Sequence, residues 1–346
     1  MRVAFDISPL KTGHNYRGIG SYTENLQRAL EARNKPFELE FIETQKDLEK
    51  FDLVHHPFFD IFFHTLPINT KTKRIITIHD VIPLVFPSHF PSGIRGNLSF
   101  FLQRMALRRV EWIISDSNAS KNDIADKLNY PEAKITSIHL AASKSFKKIT
   151  NSKQLQKIIK KYSLPTGFAL YVGDVNWNKN VEGLLRAIAI TKSPIVMVGK
   201  ALKEDALNQT KELNGLIKKL DIQEMVIKTG YVPEEDLVAI YNLATATVLP
   251  SYYEGFGLPV IESMATGTPV VCSNNSSLSE ITTAETAFYC DPENPSSIAS
   301  KIIEVFKMKK LQREEISEKL QKQASKFNWD TIASQTIDIY QKLLEK

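Results

Sequence analysis

Ala246-Thr247-Val248-Leu249-Pro250-Ser251-Tyr252-Tyr253-Glu254-Gly255-Phe256-Gly257-Leu258-Pro259-Val260-Ile261-Glu262 is the stretch that decides the fold. Its first four residues are apolar without alternation, the pattern of a strand buried on both faces. A glycine-containing turn follows, and Pro259 suits the opening positions of a helix. Strand, turn and helix in this order make one βα unit. Other short apolar runs are Val3–Ile7, Ile75–Ile78, Trp112–Ile114, Ala169–Val172, Ile195–Val198, Val226–Ile227 and Pro269–Cys272. Between them, Tyr22–Ala32, Asn97–Arg109, Val181–Ile190 and Asp236–Leu243 carry apolar residues at three-to-four spacing, as amphipathic helices do. The alternation predicts an α/β fold with parallel sheets covered by helices on both faces. No fixed-period repeat interrupts it.

The chain has 346 residues, which suits two domains. A basic, helix-like stretch from Lys153 to Tyr162 and the break Pro165-Thr166-Gly167 place the boundary between an N-terminal domain 1–160 and a C-terminal domain 165–326. Residues 327–346 read as a final helix, with Asp330 as its N-cap, packing back on the first domain. Both domains are expected to be doubly wound and Rossmann-like, facing each other across a cleft at the carboxyl ends of their strands. Hydrophobic residues at 42% and charged residues at 24% exclude wholesale disorder. Cys272 and Cys290 are too few for a disulfide framework and read as core residues of a reducing compartment. Met1–Leu10 lacks the apolar core of a signal peptide, and no run of 18 apolar residues exists, so a cytoplasmic location is expected. Residues 1–161 hold 25 Lys/Arg against 16 Asp/Glu, a balance of +9, and the remainder holds 19 against 23, or −4. A basic first half would attract phosphates or an anionic membrane face; nucleic acid is not expected as a partner.

Glu254 and Glu262 stand eight apart, the first in the turn and the second on the helix. Gly255 and Gly257, with Phe256 and Leu258, bring backbone N–H groups to a helix N-terminus, an arrangement that favours a phosphate. Carboxylates beside a phosphate repel it, so both glutamates should take hydroxyls, such as those of a sugar or ribose. In the first half, Gly18-Ile19-Gly20 lacks the third glycine of a dinucleotide fingerprint. His79, in Thr77-Ile78-His79-Asp80, ends a strand and therefore lies where ligands of such sheets bind. His55-His56-Pro57 is read as a loop after Phe51–Val54, with His55 a candidate for the acceptor side. Seven histidines without HxH or HxxxH spacing, and no Asp-x-Asp, give no metal site. Arg95, Arg104, Arg108 and Arg109 flank Phe100 and Phe101 in one amphipathic stretch. It suits either a core face with a solvated back, or docking on an anionic membrane or a lipid-diphosphate acceptor.

The tract continues through Gly267-Thr268-Pro269-Val270-Val271 and Ser276-Ser277-Leu278-Ser279-Glu280. A second segment, Tyr171-Val172-Gly173-Asp174-Val175-Asn176-Trp177-Asn178-Lys179-Asn180, sits at another strand-to-helix junction. Together these resemble glycosyltransferase family 4, whose members are retaining enzymes of the two-domain GT-B fold. The resemblance implies that Lys179 pairs with the donor diphosphate, with Asn178 beside it as a donor contact, at the position where arginine is common. It further implies donor contacts from Gly173, Gly255 to Leu258 and Glu262, and from Gly18 and Gly20 in the first domain. His79, Glu254 and Lys179 become the catalytic candidates, with Arg17 and His55 on the acceptor side.

The expected activity is metal-independent transfer of a hexose from a nucleotide diphosphate sugar to a hydroxyl, with no cofactor. Bacterial mannosyltransferases of polysaccharide assembly are the nearest likeness, which puts GDP-mannose first among donors. The acceptor expected is a glycan, free or on a lipid diphosphate, met at the inner face of the membrane. Glu254→Ala and Lys179→Ala should each nearly abolish transfer with the fold intact. A nucleotide-sugar epimerase of the same fold and a non-catalytic two-lobed sugar-binding protein are the alternatives; an oxidoreductase would need the missing glycine fingerprint.

Overall fold

The computed structural model describes residues 1–11, 18–44, 46–63, 65–66, 71–204 and 206–345. Two compact units divide it: unit 1 is Met1–Leu140 with Phe327–Lys346, and unit 2 is Ala141–Lys326.

Unit 1 contains strands β1 (Arg2–Asp6), β2 (Glu38–Ile42), β3 (Leu53–His56), β4 (Lys73–Ile78), β5 (Trp112–Ser115) and β6 (Ile135–Ser137). Its helices are α1 (Gly18–Glu31), α2 (Ile82–Val85), α3 (Gly93–Leu107) and α4 (Asn118–Leu128). The sheet is parallel in the order β2-β1-β3-β4-β5-β6, so the winding direction reverses between β1 and β3. Consecutive residues of the central strands, such as Ile75, Ile76, Thr77 and Ile78, are fully buried, because helices cover both faces. In this unit His55 and His56 are the last residues of β3 rather than a loop.

Unit 2 opens with α5 (Ser152–Tyr162) and β7 (Ala169–Val172), then α6 (Val181–Thr191), β8 (Ile195–Val198), α7 (Asn208–Lys219) and β9 (Val226–Gly230). It continues through α8 (Glu234–Leu243), β10 (Ala246–Leu249), α9 (Leu258–Thr266), β11 (Val270–Ser273), α10 (Leu278–Ile281) and β12 (Phe288–Cys290). Helices α11 (Pro295–Phe306) and α12 (Lys310–Ala324) complete it, and α13 (Trp329–Leu344) returns to unit 1. The parallel order is β12-β11-β10-β7-β8-β9, which places the reversal between β7 and β10. Cys272 and Cys290 are buried free thiols, and burial pushes Cys290 up to about 12.

Several details differ from the sequence reading. The first division falls at Leu140/Ala141, not near residue 160, because Phe146, Ile158 and Leu164 join the core of unit 2 against Tyr241. The charge asymmetry goes with it. The seven lysines of 141–161, with no carboxylate among them, belong to unit 2, leaving 20 Lys/Arg against 19 Asp/Glu in unit 1 and 24 against 20 in unit 2. The cap of α13 is Asn328, whose side chain accepts from Thr331 N at 2.8 Å, and Asp330 lies in the first turn. No helix among the described residues is long and apolar enough to cross a membrane.

Candidate active site

In unit 2 the reversal between β7 and β10 sends two loops off the carboxyl edge side by side, the position where open α/β sheets bind ligands. The β7 loop carries Gly173, Asn178 and Lys179; the β10 loop carries Ser251 to Gly257. They are stitched together. The Asn178 carbonyl accepts from Tyr252 N at 2.8 Å, and the Asn178 side-chain amide donates to the Tyr253 carbonyl at 3.0 Å. Asn180 Nδ2 donates to the Pro250 carbonyl at 3.0 Å while its Oδ1 caps α6 through Gly183 N. Trp177 stacks on Tyr252 with ring centroids 5.0 Å apart. Asn178 is thus a buried brace between the loops.

This stitching brings Lys179 and Glu254 into an ion pair, Nζ to Oε2 at 2.6 Å. The Glu254 side chain is 3% exposed as a residue, so its charge is held by few groups. Ser251 Oγ donates to its other carboxylate oxygen at 2.6 Å, Ser277 Oγ donates to its carbonyl, and Ser276 Oγ accepts from its amide. Beyond Glu254 the chain turns through Gly257, the N-cap of α9, at φ +98°. A side chain there would be strained, and its Cβ would collide with Leu278. In the first turn of α9 Pro259 has no N–H and Val260 N donates to the Gly257 carbonyl at 2.9 Å, so the Leu258 N–H is the donor left for an anion at this βα junction. Gly173 ends β7 where a Cβ would meet the Tyr171 hydroxyl at 2.9 Å.

Glu262, one turn into α9, is also buried but differs in chemistry. It has no cation beside it; Tyr241 Oη donates to its Oε2 at 2.7 Å. Burial pushes its carboxyl up to about 8, the Tyr241 hydrogen bond opposing and Glu234 reinforcing. One glutamate of the pair is therefore a paired anion and the other is predominantly protonated at neutral pH.

In unit 1, His79 follows β4 and Asp116 follows β5 on the same sheet edge. His79 Nδ1 lies 2.7 Å from Asp116 Oδ2, and the Tyr22 ring packs edge-on against the imidazole at 4.9 Å. Burial works against a charged imidazole, but the charge and hydrogen bond of Asp116, with help from Asp80, hold His79 above its ordinary value. His79 Nε2 and Asp116 Oδ1 are buried with no hydrogen bond of good geometry, the Pro57 carbonyl lying close enough to the imidazole to favour its charged form. Asp116 was not singled out in the sequence, although it directly follows the apolar run Ile113-Ile114-Ser115.

His55 does not qualify as an acceptor-side residue. It is fully buried, and both ring nitrogens are used: Nδ1 with Tyr340 Oη at 2.6 Å and Nε2 with Thr77 Oγ1 at 2.8 Å. Desolvation pulls its pKa down to about 3, so it is a neutral structural linker between β3, β4 and α13. Gly18 is the exposed first residue of α1 with open space around its α-carbon, and Gly20 is buried one turn on. Arg17 lies outside the described residues. Among the described residues, no group of three or more His, Cys, Asp or Glu side chains could hold a metal ion.

Two doubly wound units of this topology are the GT-B architecture of glycosyltransferases, and sequence comparison agrees. Residues 152–326 match the family model "Glycosyl transferases group 1", and residues 25–142 match "Glycosyltransferase Family 4". The chain belongs to glycosyltransferase family 4 and is an enzyme of glycosyl transfer. It is 30% identical over 279 residues to O-antigen chain mannosyltransferase B of Escherichia coli, covering 78% of this chain and 71% of that protein. It is 28% identical to the serotype-specific mannosyltransferase WbdA of Escherichia coli, covering 80% of this chain but 34% of WbdA. In fold it resembles sucrose-phosphate synthase from Thermosynechococcus elongatus, with a TM-score of 0.77 at 19% identity over 100% of this chain and 99% of that one. Anabaena HepE in complex with UDP-glucose gives 0.74 at 18% identity, over 99% and 100% of the two chains.

Proposed function

We propose that this chain transfers a mannosyl group from GDP-mannose to a hydroxyl of a growing glycan, carried on a lipid diphosphate, in cell-surface polysaccharide assembly. The relatives named as mannosyltransferases support the sugar. The Lys179–Glu254 pair beside the N-terminus of α9 carries the donor site, because it sets one cation beside the positive end of the helix and the Leu258 N–H at the switch point.

The chemistry follows from these groups. The bond between the sugar anomeric carbon and the diphosphate oxygen breaks with its electron pair going to the diphosphate. Lys179, the Leu258 N–H and the dipole of α9 stabilise that developing charge, a contribution of roughly 10²–10³ in rate for each well-placed donor. Glu254, already an anion, accepts hydrogen bonds from sugar hydroxyls. Glu262, with one oxygen on Tyr241, keeps the other for the ribose diol. His79, at the carboxyl edge of the unit 1 sheet, is the candidate in that unit for a donor-sugar hydroxyl. The acceptor oxygen attacks the face the diphosphate leaves, and its proton passes to the departing phosphate oxygen, so configuration is retained without a protein nucleophile. Positive charge comes from the protein, and the reaction is read as independent of metal.

The test is incubation with GDP-mannose labelled in the sugar, a mannose-terminated lipid-linked acceptor and excess EDTA, with the product linkage read by NMR. The reading expects an α-mannoside and undiminished rate in EDTA. A β-linked product, release of an epimerised nucleotide sugar without transfer, or loss of activity restored by Mg²⁺ would each overturn its corresponding part.

A further inference from the structure

Helix α3 is apolar on the side that faces away from the core. Its buried residues are Gly96, Gln103, Ala106 and Leu107, which occupy one arc of the helix. Gln103 fixes that arc, its amide donating to the carbonyls of Asp60 and Phe63 at 2.8 Å each. On the opposite side, Ile94 is 90% exposed, Leu98 62%, Phe101 60% and Met105 45%. Spacings of four, three and four put these on a single stripe down the helix axis. An amphipathic helix on a protein surface turns polar groups outward; this one turns out four large apolar side chains, more than scattered exposure accounts for.

The charges around the stripe select its occupant. Arg95 lies on one flank and Arg104 on the other, with Arg108 at the C-terminal end, all three exposed and without ion pairs among the described residues. No Asp or Glu occurs from Val81 to Val110. A second copy of the chain would bring arginines against arginines, and a stripe one helix wide falls well short of the roughly 800 Å² per partner that a stable dimer buries. Apolar side chains between flanking arginines, with no carboxylate, match a bilayer surface of anionic lipid: rings and alkyl chains enter the acyl boundary while guanidinium groups meet phosphates. The net charge of unit 1 is close to balanced, so the attraction is local to this helix.

We infer that the exposed face of α3, Ile94, Leu98, Phe101 and Met105 flanked by Arg95 and Arg104, docks the protein on an anionic lipid bilayer. This rests on the helix face and not on the identity of donor or acceptor, so a failed membrane assay and a failed transfer assay are separate results. The test is flotation of the full chain with vesicles of phosphatidylcholine alone and of phosphatidylcholine with about one third phosphatidylglycerol. Binding is expected on the anionic vesicles only, weakening with salt. Each arginine replaced by glutamine should weaken it about fivefold, and Leu98→Glu with Phe101→Glu at least about tenfold. Both positions face solvent, and circular dichroism checks the fold; Ile94→Glu with Met105→Glu is a second, independent pair. Leu311→Glu, at an exposed leucine of α12 in unit 2, should bind as wild type does. No binding to anionic vesicles, equal binding to neutral ones, or binding unmoved by both double variants would overturn the proposal. So would a concentration-dependent dimer dissolved by Phe101→Glu, which would assign the face to a second copy.

Discussion

Removing Lys179 should destabilise unit 2 as well as stop transfer. The ion pair has Nζ and Oε2 at 2.6 Å, with Glu254 almost wholly enclosed and the Lys179 side chain 21% exposed. Breaking a fully buried pair by deleting one partner costs about 3–5 kcal/mol, because the remaining charge is stranded. Exposure of the lysine lowers this, so Lys179→Met should cost about 2–3 kcal/mol, or about 5–10 °C in melting temperature for a unit of this size. The reverse deletion is milder. Glu254→Gln leaves a lysine that reaches water, at about 1 kcal/mol. The double variant should then be more stable than the sum of the singles by about 2 kcal/mol. Urea melts of all four proteins, followed by far-UV circular dichroism, measure this cycle. Additive single effects, or Lys179→Met as stable as wild type, would refute the claim that the pair holds the two loops together. Lys179→Ala is accordingly expected to keep its fold, at a lower melting temperature than wild type.

Three further outcomes follow from the same structure. Glu262 binds its proton more tightly folded, at about 8, than unfolded, near 4.5, so its stabilising contribution is complete below 4.5 and lost as pH rises through 8. Wild type should therefore lose up to about 5 kcal/mol between those limits that Glu262→Gln does not lose, and parallel pH profiles of the two proteins would refute this. Asp116→Asn leaves burial as the dominant influence on His79, so an NMR titration of the ring should show its pKa falling below that of free histidine; an unmoved titration would break the assigned pair. Gly257→Ala should cost about 1–3 kcal/mol from its left-handed backbone and displace the start of α9. Leu278→Ala has its own cavity cost, but on that background Gly257→Ala should cost less than on wild type, and an equal cost would count against the packing.

The parts of the fold legible in the sequence were those where burial on both faces writes one uniform apolar run, as at Ala169–Val172, Ile195–Val198 and Ala246–Leu249. Strand β2, Glu-Leu-Glu-Phe-Ile from residue 38 to 42, escaped because it is an edge strand with exposed glutamates. The unit boundary was misread because α5 looks like a basic linker, yet Ile158 enters the core, with Leu155 and Tyr162 packed against it, and anchors the helix. At the site, Lys179, Glu254 and Gly257 were readable since each lies beside a strand end or helix start. The pairing of Lys179 with Glu254 was not, because their separation of 75 residues leaves no local trace. Ser276 and Ser277 support Glu254 from across the next strand for the same reason. Adjacent histidines His55 and His56 are both buried, on opposite faces of β3, and nothing local tells that His55 meets Tyr340 and Thr77 while His56 meets Asp6.

The most direct measurement is a calorimetric titration of the full chain with GDP, UDP, dTDP and ADP and their common sugar conjugates, in EDTA. The account predicts saturable one-site binding of one nucleotide class, GDP first, weakened more than about tenfold by Glu262→Ala and by Lys179→Ala in proteins that remain folded. Binding of none by folded wild-type protein, or binding indifferent to both substitutions, would contradict a nucleotide-sugar site on the loops after β7 and β10.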